Sequence, residues 1–122
     1  MVGPAARIRR EEYARRVREW VVVVVEGKHA GERRRIGEEL EIGRDARGLR
    51  LGDALVSRKH ARLSANRDLV VLEDLGSSNG TFVNGERIHS LAVLSPGDRI
   101  GIGLSMLAVR CSDHGLSREA AC

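Results

Sequence analysis

Three short stretches of the 122-residue chain concentrate groups that can hold or transfer charge: Gly43-Arg44-Asp45-Ala46-Arg47-Gly48, Ser57-Arg58-Lys59-His60 and Gly76-Ser77-Ser78-Asn79-Gly80-Thr81. Ser57 and His60 lie three apart, with Asp45, Asp53 and Asp74 available as the third member of a nucleophilic triad. A nucleophilic serine usually sits on a constrained elbow such as G-x-S-x-G, and the chain has none. It also lacks the G-x-x-x-x-G-K-[ST] loop for nucleotide phosphates, and Gly101-Ile102-Gly103 is only a fragment of a dinucleotide fingerprint. His29, His60, His89 and His114 are scattered, without paired carboxylates at ligand spacing. The expectation is a protein that is not an enzyme, with no metal and no cofactor.

The same three stretches suit the holding of an anion. Arginine offers a planar fork, serine a short O–H donor and asparagine an amide, and each charge-assisted contact is worth about 1.5–3 kcal/mol. Taken singly, each stretch also fits an ordinary turn or a solvated basic loop. Together they matter only if the fold brings them to one place, as loops do at one end of a β-sandwich.

The intervening sequence is built for that. From Trp20 the chain enters a run of valines, stiff β-branched residues that favour strands. Short strand-like pieces then recur at Arg33–Ile36, Leu40–Ile42, Leu49–Leu51, His60–Leu63, Leu69–Asp74, Thr81–Val83, Glu86–Ile88, Ala92–Leu94, Arg99–Ile102 and Met106–Arg110. Pieces of this size and spacing predict a sandwich or barrel. Asn84-Gly85 predicts a type I′ hairpin, and Ser95-Pro96-Gly97-Asp98 a further turn. Ile100, Ile102 and Leu104 alternate with Gly101 and Gly103, which predicts one apolar and one bare face.

The flanks differ in character. Residues 1–19 form a basic N-terminal arm with six arginines and three glutamates, and Met1 reads as a natural start. Glu11/Arg15 and Glu12/Arg16 are i,i+4 pairs, and Tyr13, Val17, Trp20 and Val21 fall on one helical stripe, so the arm is expected to be partly helical. Residues 20–111 form the domain, and 112–122 a polar, flexible C-terminal tail. Cys111 and Cys122, the only cysteines, are read as a strand-end thiol and a tail thiol.

Composition excludes several classes. Of the net charge of +4, the first 19 residues carry +3, so the domain itself has no broad basic face for nucleic acid. Aromatic residues are only 2% of the chain, too few for a base-stacking platform. The longest strictly apolar run, Trp20 to Val25, is six residues, where a membrane span needs roughly 20. No secretory leader pattern is present in the arginine-rich N-terminus, and the expected location is cytoplasmic.

Gly43-Arg44, then Ser57-Arg58-Lys59-His60, then Ser77-Ser78-Asn79-Gly80-Thr81-Phe82-Val83-Asn84-Gly85, in this order and spacing, closely resemble the forkhead-associated (FHA) domain family. The resemblance spans about Val21 to Val109 and implies an eleven-strand β-sandwich that reads phosphothreonine in partner proteins. By match to the family motif, Arg44 and Ser57 resemble the primary phosphate ligands and Arg58 a further phosphate contact. Ser78 resembles the hydroxyl that helps hold the phosphothreonine, and Asn79 the side chain that bonds the peptide backbone beside it. Gly43, His60, Gly80, Asn84 and Gly85 match structural positions: Gly43 permits a tight turn, His60 anchors the loop presenting Ser57, and Asn84 forms the hairpin and braces neighbouring loops. Lys59 adds positive potential or is simply solvated.

In this family the residue three beyond the phosphothreonine usually sets selectivity. Leu55, two before Ser57, is the position expected to act on it, disfavouring an acidic side chain. The implied partner is a protein phosphorylated by a Ser/Thr kinase. The alternative keeps the fold but makes it a phosphate-independent scaffold, docking or forming a homodimer through the arm's stripe with Tyr13 and Trp20. Some bacterial members are switched when their own N-terminal phosphothreonine fills the pocket. The arm here has neither Thr nor Ser, so no such self-inhibition is expected.

Overall fold

The computed structural model describes residues 19–66, 68–113 and 118–119, and within them the chain is all β. The strands are β1 (Glu19–Glu26), β2 (Arg33–Arg35), β3 (Leu40–Gly43), β4 (Leu49–Arg50), β5 (Ala61–Ala65), β6 (Val70–Asp74), β7 (Thr81–Val83), β8 (Glu86–Arg87), β9 (Leu91–Leu94), β10 (Arg99–Ile102) and β11 (Ser105–Asp113). A two-residue twelfth strand, β12 (Arg118–Glu119), pairs with the end of β11. One sheet has the order β2-β1-β11-β10-β7-β8, with β12 attached to β11, and the other runs β4-β3-β5-β6-β9. Every pairing is antiparallel except β3 with β4.

Period-two alternation decides which side chains lie between the sheets. In β5, Ala61 and Leu63 are buried while Arg62 faces outward; in β6, Val70 and Leu72 turn inward opposite Glu73 and Val71. Across the gap, Val22 and Val24 of β1, Ile100 and Ile102 of β10, and Leu107 and Val109 of β11 complete the core. Each such side chain withdrawn from water contributes about 1.5–3 kcal/mol. The core holds the strand ends, and the connections between β3 and β4, β4 and β5, and β6 and β7 carry the three polar stretches. No helix among the described residues is long and apolar enough to cross a membrane.

Several expectations are corrected. β1 begins at Glu19, so Trp20 and Val21 belong to a strand and not to a helical stripe; Tyr13 and Val17 lie outside the described residues. Trp20 is 6% exposed and packs in the core, which removes it from any docking surface. Ser112, Asp113, Arg118 and Glu119, assigned to a flexible tail, are in paired strands because β11 continues past Cys111 and finds a partner there. Cys111 is buried and disulfide-bonded rather than a free thiol. Leu104 leaves the apolar face of Ile100 and Ile102: it sits in the β10–β11 turn and is 72% exposed. Gly101 lies opposite Phe82 on β7, and a Cβ there would meet the Phe82 Cβ at 3.5 Å, an ordinary van der Waals contact.

Candidate functional site

The three stretches converge. A cavity of about 260 Å³ is lined by Arg44 from the β3–β4 loop, by Ala54, Leu55, Val56, Ser57 and Arg58 from the β4–β5 loop, and by Ser78 and Asn79 from the β6–β7 loop. Residues bearing guanidinium, hydroxyl, amide and aliphatic groups thus share one concavity, and no carboxylate among the described residues lines it.

The first two loops are joined backbone to backbone. The N–H groups of Arg44 and Asp45 donate to the carbonyls of Ser57 (2.9 Å) and Arg58 (3.1 Å). That approach requires glycine at position 43, where a Cβ would stand 2.0 Å from the Arg58 carbonyl oxygen. Gly43 is not at positive φ, so its part is this close contact and not the expected tight turn. Arg44 then donates through Nε to the Val56 carbonyl (3.0 Å), which aims the side chain and leaves the terminal guanidinium nitrogens for a ligand.

His60 ties the second loop to the third. Fully buried, it accepts the Ser57 N–H at Nδ1 (3.0 Å). The ring proton therefore sits on Nε2, which donates to the Gly80 carbonyl (2.9 Å). Both ring nitrogens are used on the main chain, so His60 is not placed as a base for the Ser57 hydroxyl. The Ser57 Oγ instead accepts the Ser78 N–H (3.1 Å), which leaves its own O–H to be donated outward. Asn79 is held by an Nδ2 bond to the Leu55 carbonyl (2.9 Å).

Two aspartates that the sequence offered only as triad partners brace the loops from outside the cavity. Asp74 accepts the Ser77 and Thr81 hydroxyls on Oδ1 (2.5 and 2.6 Å) and the Gly76 and Ser77 N–H groups on Oδ2 (3.1 and 3.2 Å). Burial pushes its carboxyl upward, but these hydrogen bonds outweigh it and hold the pKa below the ordinary carboxylate value. Asp53 accepts the Leu55 N–H (2.8 Å) and, from the β10–β11 turn, the Leu104 N–H (2.7 Å). The legible signal for Asp74 was an acid three residues before Ser77, the spacing of a local side-chain-to-backbone turn. Asp53 reaches across 51 positions, and nothing local marks that contact.

The motif's last part is a hairpin. Asn84 and Gly85 both have positive φ (51° and 88°), as a type I′ turn needs. Asn84 also donates from Nδ2 to Asp98 (3.1 Å) and accepts the Arg99 N–H (3.0 Å), joining the hairpin to the β9–β10 turn. Lys59 is exposed and does not line the cavity.

Comparison with known proteins places the fold in a family. The family model described as the FHA domain matches residues 40–103, from β3 to the β10–β11 turn. The chain is 42% identical to an oxoglutarate dehydrogenase inhibitor of Corynebacterium jeikeium over 85 residues, 68% of this chain and 58% of that protein. It is 36% identical to the FHA domain-containing protein FhaB of Mycolicibacterium smegmatis over 91 residues, 73% of this chain and 59% of the relative. The chain therefore spans somewhat under three-fifths of the length of these relatives. Among solved structures, a domain studied for phosphothreonine-dependent FHA interactions superposes with a TM-score of 0.68 at 30% identity, covering 75% of this chain and 94% of that one. With the family match extending over more than half of the sequence and the sandwich reproduced in a solved relative, this chain belongs to the FHA domain family.

Proposed function

We propose that the chain is a phosphothreonine-peptide recognition module, an adaptor for proteins phosphorylated by Ser/Thr kinases. One observation carries this reading: Arg44, Ser57, Arg58, Ser78 and Asn79 line one cavity of about 260 Å³, with no carboxylate among its described lining residues. A phosphate monoester is close to doubly negative at neutral pH. Arg44 and Arg58 supply opposing charge, the Ser57 O–H a short donor, and the Ser78 hydroxyl a further one. Asn79, braced on Leu55, is placed to bond the backbone of an extended peptide beside the phosphate.

Threonine is preferred over serine through Ala54, Leu55 and Val56, which line the same cavity. A γ-methyl fitted against them gains about 0.8 kcal/mol by burial, and one fitted methyl discriminates by roughly 10–200-fold. Leu55, 43% exposed, remains the position proposed to disfavour an acid three residues beyond the phosphothreonine. FHA domains act as regulatory binding modules, and the chemistry assembled here is that of binding.

The test is a titration of matched peptides carrying threonine, phosphothreonine or phosphoserine. Only the phosphothreonine peptide binds strongly, and Arg44→Ala weakens it by about 10- to 150-fold, the equivalent of one charge-assisted bond, while the domain stays folded. Equal binding of phosphorylated and unmodified peptides overturns the reading.

A further inference from the structure

Most arginines on the outer faces of the sheets are already matched. Arg34 pairs with Glu32, Arg35 with Glu19, Arg50 with Asp45, and Arg62 with Glu39 and Glu73. Arg87 is different: it is exposed, it does not line the cavity, and it has no hydrogen-bond or carboxylate partner among the described residues.

Its position is set by the hairpin. The two-residue Asn84-Gly85 turn fixes the register, so Arg87 of β8 lies opposite Phe82 of β7. Glu86, its neighbour in the strand, points to the opposite face by the pleat and leaves the guanidinium unneutralised. Gly80 supplies the slot. At φ +94° and without a side chain, it leaves open a point only 2.8 Å from Arg87 Nε and 3.0 Å from Cζ, with the Phe82 ring edge 3.2 Å from the same point. The Gly80 carbonyl is itself pinned by His60, and Gly80 directly follows Asn79. A free cation is thus seated against the peptide unit adjoining the residue proposed to bond the ligand's backbone.

We propose that Arg87 forms a second anion subsite, which takes an Asp or Glu side chain of the bound phosphopeptide. This rests on the phosphothreonine reading above. Gly80 directly follows Asn79, so the acid is one of the residues flanking the phosphothreonine in the extended peptide. The partner class is therefore an acidic phosphothreonine peptide, and Arg87 determines specificity without contributing to the phosphate cradle.

The experiment is a positional scan with Asp, Ala and Lys at each site flanking phosphothreonine, read by fluorescence anisotropy on wild type, Arg87→Ala and Arg87→Glu. At one flanking site, wild type prefers Asp to Ala by about two- to five-fold, the scale of an exposed ion pair. Arg87→Ala loses that preference and Arg87→Glu reverses it towards Lys, while the phosphothreonine requirement and the melting temperature stay unchanged. A flat profile, or one that Arg87→Glu leaves intact, overturns the subsite but spares the phosphothreonine reading. Failure of the phosphorylated parent peptide to bind wild type overturns both.

Discussion

His60 gives a sharp separation between holding the site together and touching the ligand. Its ring is fully buried and links the Ser57 N–H to the Gly80 carbonyl, at 3.0 and 2.9 Å. His60→Ala removes two hydrogen bonds worth about 1 kcal/mol each and leaves the Gly80 carbonyl desolvated. It also opens a cavity next to the β5 core, and the combined loss is about 3–5 kcal/mol. That is a large share of the roughly 5–15 kcal/mol that holds a small domain folded. Urea denaturation should show a lower midpoint with an unchanged slope, and phosphothreonine-peptide binding should fall as well, because the Ser57 and Gly80 loops lose their shared anchor. His60→Leu restores most of the volume but neither hydrogen bond, so part of the stability returns while binding stays weak. Arg44→Ala gives the opposite balance, with binding weakened and at most the one hydrogen bond to the Val56 carbonyl, about 1 kcal/mol, removed from stability. A His60→Leu protein that binds like wild type, or a His60→Ala protein destabilised by less than about 1 kcal/mol, would refute the bridging argument.

Gly43→Ala places a methyl 2.0 Å from the Arg58 carbonyl oxygen, a backbone atom that cannot step aside, so the first two loops must separate. Overpacking of this kind destabilises by about 1–3 kcal/mol, and the loss of peptide affinity, read by calorimetry, should exceed that from an exposed loop substitution outside the cavity such as Lys59→Ala. Acid should act in two ranges. Affinity falls below about pH 6 as the ligand phosphate takes up its second proton. Fold stability changes lower still: Asp74 has a folded pKa below its ordinary 3.8, so its contribution is complete above that value and lost as pH falls through the folded one. Asp74→Asn should flatten this acid limb in pH-dependent denaturation, and an unaltered limb counts against the four-bond network around its carboxylate.

Much of this protein is written in local sequence. β7, Thr81–Val83, and β10, Arg99–Ile102, start and stop where their apolar alternation and flanking turn residues indicate, and Asn84-Gly85 adopts the backbone that only such residues reach without strain. The order of Gly43-Arg44, Ser57-Arg58 and Ser78-Asn79 carries the family resemblance without any geometry, because each loop's chemistry resides in a few neighbouring residues. Long-range partners decided the rest. Whether Trp20 belonged to a helix or to a core strand depended on β11, which pairs with it through Cys111, ninety-one positions away. The same distant pairing drew Ser112 and Asp113 into the sheet. Asp53 and Gly43 have unremarkable neighbours in sequence, and their roles exist only once a turn or a carbonyl from another loop arrives within reach, whereas Asp74 is engaged by Gly76, Ser77 and Thr81 of its own loop. Periodicity and turn chemistry are local and can be read from one segment; hydrogen bonds and close approaches between segments are properties of the packed chain.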